Sequence, residues 1–155
     1  MNRSYRWQFH FNAVHNMMPE NEEGKHPHSF LVVLCIEMEQ VDLNKQRSCE
    51  EKLIEYLGQY NGKYLNEMDK FHNVIPTIEV ICERLFYEIE SIAAAYDMNL
   101  IQVEVGDSPV VMFALGKKLL LGGIYRTISD KQLQKYSQQL DQQDRKAGIE
   151  WIEIG

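Results

Sequence analysis

Apolar and polar positions alternate strictly at the start of the chain, with Tyr5, Trp7, Phe9, Phe11 and Ala13 on one side and Arg6, Gln8, His10 and Asn12 on the other. A period of two marks a strand with one face on a core and one face in water. The polar stretch NMMPENEEGK follows, and then SFLVVLCIEME, apolar and β-branched almost throughout. That run predicts a second strand, covered on both faces or bonded into an assembly. The two strands read as an antiparallel hairpin with a long loop, and long loops inside compact domains are often functional.

The period then lengthens. Cys49, Leu53, Ile54 and Leu57 suit a short amphipathic helix over 48–59, opened by Ser48 with Glu51 as a capping box, and YNGKYLNE ends it. Pro76, Thr77 as N-cap and Glu79 in the first turn open a longer helix. Its Ile78, Ile81, Cys82, Leu85, Ile89, Ile92, Ala93 and Tyr96 recur at three- and four-residue steps. LIQVEVG at 100–106 alternates as a strand, and VVMFAL at 110–115 is expected as another after Ser108-Pro109. Beyond these, GKKLLLGGIYRT suits a further hairpin. SDKQLQKYSQQLDQQDRKAG suits a glutamine-rich helix ending at Gly148, with a thin stripe of Leu133, Tyr136, Leu140 and Ala147.

Composition narrows the class. A chain of 155 residues with 45% hydrophobic and 25% charged positions has the makings of one globular core. A net charge of −7 without any Lys/Arg block argues against nucleic acid and against anionic membranes. No apolar run approaches the ~18 residues of a spanning helix and the N-terminus lacks a signal-peptide core, so the expected location is cytoplasmic. Cys35, Cys49 and Cys82 are scattered and odd in number, which indicates neither a disulfide framework nor a thiolate zinc site. Cys35 and Cys82 lie in apolar settings and are expected as buried thiols.

Four of the five histidines fall between residues 10 and 28. In a strand, His26 and His28 point the same way, about 6.5–7 Å apart along the backbone, and can converge on one ion. His15, in phase with Phe11 and Ala13, faces them across the loop. Three neutral imidazoles with a fourth position open is the arrangement of a catalytic zinc, which polarises a substrate oxygen. An isolated H-x-H pair also fits exposed or core-satisfied histidines. His10 lies on the other strand face, and His72 reads as a loop histidine.

FHFNAVH, then HPHSF, YLNEM, IPTIE and VEVGDSP together resemble, in order and spacing, the 6-pyruvoyl-tetrahydropterin synthase and 6-carboxy-tetrahydropterin synthase family over about residues 5–115. The resemblance implies an α+β T-fold over residues 1–115, a four-stranded antiparallel sheet with two helices on one face. Residues 116–155 would form a C-terminal extension with an extra helix, packed on the same domain. It also implies subunits joined into a trimer or hexamer, zinc on His15, His26 and His28, and a pterin pocket bordered by Thr77.

The chain departs from the family pattern at several positions. Glu22 stands where these enzymes carry a catalytic cysteine; a family variant with glutamate there cleaves the side chain of a dihydroneopterin to give 6-hydroxymethyl-dihydropterin. A carboxylate so placed can serve as general base, and it also fits a solvated acidic loop with Glu20 and Glu23. Asn61-Gly62 replaces the family's Asp-His pair, leaving His72 as a substitute proton-transfer group. Asp107 falls on the pterin-anchoring glutamate, one methylene shorter, and Pro27 replaces the glycine between the two histidines. The expectation is a zinc-dependent pterin synthase or lyase acting on 7,8-dihydroneopterin or its triphosphate, with Glu22 and His72 as catalytic candidates and Thr77 and Asp107 binding substrate. The alternatives are a catalytically degenerate protein that binds zinc and a pterin-like ligand, and a zinc enzyme for a different heterocycle.

Overall fold

A computed structural model describes residues 3–117. The glutamine-rich helix expected over 129–148, and all of the preceding hairpin but its first two residues, lie outside them. Strands β1 (Arg3–Asn16) and β2 (Lys25–Met38) pair antiparallel along their whole length, from Arg3 opposite Met38 to Asn16 opposite Lys25. Strand β3 (Lys63–Tyr64) lies parallel to Ala13 and Val14 on the outer side of β1. Strand β4 (Asn99–Gly106) runs antiparallel to β2, and β5 (Phe113–Gly116) completes the order β3-β1-β2-β4-β5. The four strands expected are thus joined by a fifth of two residues, too short to leave an alternation in the sequence.

Helix α1 (Leu43–Gly58) begins five residues ahead of the expected start at 48. Its cap is Asp42, whose carboxylate accepts from the backbone N–H groups of Asn44 at 3.0 Å and Lys45 at 3.1 Å. Ser48 sits inside the helix, so the Ser48/Glu51 capping box does not form. The first turn carries no buried residue to reveal it: Leu43 is 73% exposed, and the apolar stripe starts at Cys49. Helix α2 (Ile78–Ala94) begins where expected, with Thr77 Oγ1 accepting from the Val80 N–H at 3.3 Å.

One core joins these pieces. Cys49, Leu53 and Leu57 of α1 and Ile81, Leu85 and Ile89 of α2 pack with Phe11 and Ala13 of β1, the even-numbered residues Phe30 to Ile36 of β2, and Val103 and Val105 of β4. Burial pushes the Cys49 thiol up to about 11 and the Cys82 thiol up to about 12. Cys35 lies on the opposite sheet face from Leu34 and Ile36 and is half-buried, so Cys49 and not Cys35 joins Cys82 in the interior.

Two asparagines fasten the chain after α1 to β1. Asn61 Oδ1 accepts from the Asn12 N–H at 2.9 Å, while Gly62, at a positive φ of 72°, donates its N–H to the Asn12 carbonyl at 2.7 Å. The Asn66 side chain accepts from the Asn16 N–H at 2.8 Å and donates to the Asn16 carbonyl at 2.9 Å. Asn16 is fully buried, and its side chain turns the loop by accepting from the Met18 N–H and donating to the Asn21 carbonyl. Gly24 lies against that side chain: a Cβ there would run into Asn16 Oδ1.

Candidate metal centre

The strand register gathers the histidines. His15 is the cross-strand partner of His26, and His28 is the partner of Ala13, so all three side chains leave the sheet on the face that carries Phe11 and Phe30. Ala13 offers only a methyl opposite His28, which leaves room for the two larger rings: those of His15 and His28 meet edge to face with centroids 4.8 Å apart. The His26 and His28 rings are 6.1 Å apart, and Phe30 closes the inner side, 5.3 Å from His15 and 5.8 Å from His28.

His15 is the best-defined of the three. Its side chain is 2% exposed, and Nδ1 lies 2.8 Å from the carbonyl oxygen of Pro76. A carbonyl only accepts, so Nδ1 carries the proton and Nε2 presents its lone pair. A backbone carbonyl on the far ring nitrogen is the usual device for fixing a metal-binding imidazole. Burial holds the His15 pKa below the ordinary histidine range, against the Pro76 hydrogen bond and the Asp107 charge, which raise it. A neutral imidazole is the form a metal ion requires. The donors present fit a zinc ion.

One carboxylate joins them. Asp107 lies one residue beyond the end of β4, in phase with Val103 and Val105, and its Oδ2 is 4.0 Å from His15 Nε2. Among the described residues, ligand atoms of His15, His28 and Asp107 all fall within 4.8 Å of one another. His26, exposed at the start of β2, stands outside that trio. Local composition carries no sign that Asp107 stands so close to His15, because the distance depends on how β4 registers against β2; only the family resemblance puts both residues in one site.

The remaining candidates stand outside that trio. Glu22 opens a single 3₁₀ turn, Glu22–Gly24; its side chain is 83% exposed and its carboxylate is held by Lys25 Nζ at 2.6 Å. The Lys25 ammonium also rests over the Tyr64 ring, 4.6 Å from the centroid. His72 is exposed at the end of the short Asp69–Phe71 turn. Thr77 uses its hydroxyl to cap α2 directly after Pro76, whose carbonyl holds His15, so the start of α2 borders the cluster. Asn61, at the place of a proton-transfer pair, spends its side-chain oxygen on the β1 backbone.

The sequence model for 6-pyruvoyl tetrahydropterin synthase matches residues 4–117. Among solved structures, 6-pyruvoyl tetrahydropterin synthase from Caenorhabditis elegans is similar, with a TM-score of 0.62 at 15% identity, covering 76% of this chain and 97% of that one. An uncharacterised protein from Wolinella succinogenes is similar as well, with a TM-score of 0.56 at 11% identity over 76% of this chain and 99% of that one. No curated protein matches by sequence. No helix among the described residues is long and apolar enough to cross a membrane.

Proposed function

The chain belongs to the 6-pyruvoyl tetrahydropterin synthase family, and from that premise we propose that it is a zinc-dependent lyase or synthase acting on the side chain of a 7,8-dihydroneopterin or its triphosphate. The observation that carries this reading is the edge-to-face meeting of the His15 and His28 rings, 4.8 Å between centroids, with His15 held in the ligating tautomer by the Pro76 carbonyl. His15, His26 and His28 would hold the metal. Zinc bound there would supply Lewis-acid polarisation of the substrate's side-chain hydroxyl groups.

This chain's own residues do the rest. Phe30 and the buried side of His15 keep water from the inner wall. The α2 start at Thr77 offers the edge against which the pterin ring lies. Glu22 removes the substrate proton, and the Lys25 ion pair at 2.6 Å sets where its carboxylate rests before substrate arrives. His72 is the second candidate for that proton. The pocket is completed by a neighbouring copy, in a trimer or a pair of trimers, since β1 is paired on its outer side only at Ala13 and Val14. The working location is the cytoplasm.

The test is to incubate zinc-loaded protein with 7,8-dihydroneopterin and with its triphosphate and identify the products by mass spectrometry. A positioned base contributes about 10²- to 10⁴-fold, so Glu22→Gln should lower kcat by that order with zinc content unchanged, while Glu20→Gln and Glu23→Gln change little. Equal turnover by Glu22→Gln transfers the role to His72. The second reading, a family member that binds zinc and a pterin-like ligand without turning it over, is favoured by one observation: Asn61 is committed to the β1 backbone and offers no proton-transfer pair. Binding of zinc and pterin without any product would establish it.

A further inference from the structure

We infer that Asp107 is itself a ligand of the metal, so that the centre of this chain combines imidazoles from β1 and β2 with a carboxylate from the end of β4. The inference rests on the zinc reading above and changes the duty of the residue that aligns with the family's ring-anchoring glutamate.

Three observations point the same way. Oδ2 of Asp107 and Nε2 of His15 are 4.0 Å apart, too far for a hydrogen bond. Two donor atoms each ~2.0–2.2 Å from a tetrahedral ion stand about 3.3–3.6 Å apart, a gap that a small rotation of the aspartate side chain closes. Next, both facing atoms are acceptors. The Pro76 carbonyl keeps the imidazole proton on Nδ1, so a lone pair on Nε2 looks at a carboxylate oxygen, an arrangement that a cation between them turns from repulsive to favourable. Finally, one ligand atom each of His15, His28 and Asp107 fall within 4.8 Å of one another, close enough for small side-chain rotations to bring all three to one ion.

The carboxylate also changes what the centre can do. Neutral imidazoles leave the full dication charge at the site, and one aspartate halves it. With His26 as well, four protein donors would fill a tetrahedral sphere, as in zinc sites that keep no open position. Asp107, at the end of its strand and 31% exposed, is freer to move than His15, at 2%. The pterin ring would in that case be held by groups other than Asp107.

The experiment measures Zn²⁺ affinity of the full chain by competition with a chromophoric chelator, together with the visible spectrum after loading with Co²⁺. Asp107→Asn keeps the shape and removes the charge. It should weaken zinc by more than the ~10- to 100-fold that follows from losing a group that merely supports a ligand, and should shift the Co²⁺ bands. His28→Ala should lose the metal, and His10→Ala, on the other sheet face, should match the parent. Zinc-edge X-ray absorption of the parent chain, expected to show a carboxylate oxygen beside the imidazoles, gives a reading that needs no variant to fold. If Asp107→Asn binds within about 100-fold of the parent with an unchanged Co²⁺ spectrum, or the parent's spectrum fits imidazoles without a carboxylate, Asp107 is no ligand and the histidine centre stands. If the parent binds zinc no better than His28→Ala, the zinc reading and this inference fall together.

Discussion

Replacing Asn66 by alanine removes two hydrogen bonds at once, to the N–H and to the carbonyl of Asn16. Asn16 is 0% exposed, so its backbone cannot turn to bulk water for new partners. A buried donor or acceptor left unsatisfied costs about 1–3 kcal/mol. Asn66 is half-buried, and water admitted by the smaller side chain recovers part of the loss, which sets the expectation at about 2–4 kcal/mol. With a urea dependence of ~1–3 kcal/mol per molar, the unfolding midpoint should fall by roughly 1–2 M, measured at fixed protein concentration because assembly is linked to stability. Asn66→Asp retains the acceptor for the Asn16 N–H but cannot donate to the carbonyl, and should forfeit at least half of the same stability. Because Asn16 follows His15 directly, affinity for the zinc proposed above should drop as well. A stability change below about 0.5 kcal/mol for Asn66→Ala would refute the reasoning, since it would mean that the Asn16 backbone does not depend on this side chain.

Two further outcomes follow from elements described above. Asp42→Ala should cost about 0.5–2 kcal/mol through loss of the α1 cap, whereas Ser48→Ala, within the helix, should be neutral or slightly stabilising; chemical denaturation of both variants separates the two helix starts. Cys49 and Cys82, buried with pKa values pushed up to about 11 and about 12, should resist a thiol reagent at pH 8 in the native protein and react fully only after unfolding, with half-buried Cys35 the first to be labelled. Equal labelling of all three thiols under native conditions would show that the α1 and α2 stripes open readily.

The parts of the fold that alternate or repeat on one strand or one helix face were legible in the sequence. The phase of His15 with Phe11 and Ala13, and of His26 with His28, already places the three rings on one sheet face, and the register of β1 with β2 agrees. The Thr77 cap was legible because Pro76 precedes it and an apolar stripe follows at once. The α1 start was not, because Leu43 faces solvent and the Ser48-x-x-Glu51 pattern imitates a cap inside an established helix. β3 was missed for want of length. The Asn61, Asn66 and Asp107 contacts join segments 49, 50 and 92 residues apart, and nothing in local composition records which distant backbone a polar side chain will meet.

One irregularity in the sheet lies upstream of that last contact. Opposite Cys35 and Ile36, β4 advances by an extra residue: Gln102 faces Cys35, but Leu100 faces Ile36, and Ile101 has no partner of its own. The extra residue acts as a phase shifter. It lets Leu100 point into the core at one end of the strand while the odd-numbered residues Val103 and Val105 do so at the other, with Asp107 following in their phase. Deleting Ile101 would restore a regular ladder and leave every other pair as it is, whereas deleting one residue between 103 and 107 would send Asp107 out on the opposite side of the sheet. Tolerance to gaps along this chain should therefore be uneven: loss of Ile101, or a length change at the surface turn near residue 40, displaces nothing at the histidines, whereas loss of one residue between Val103 and Asp107 turns their carboxylate neighbour away.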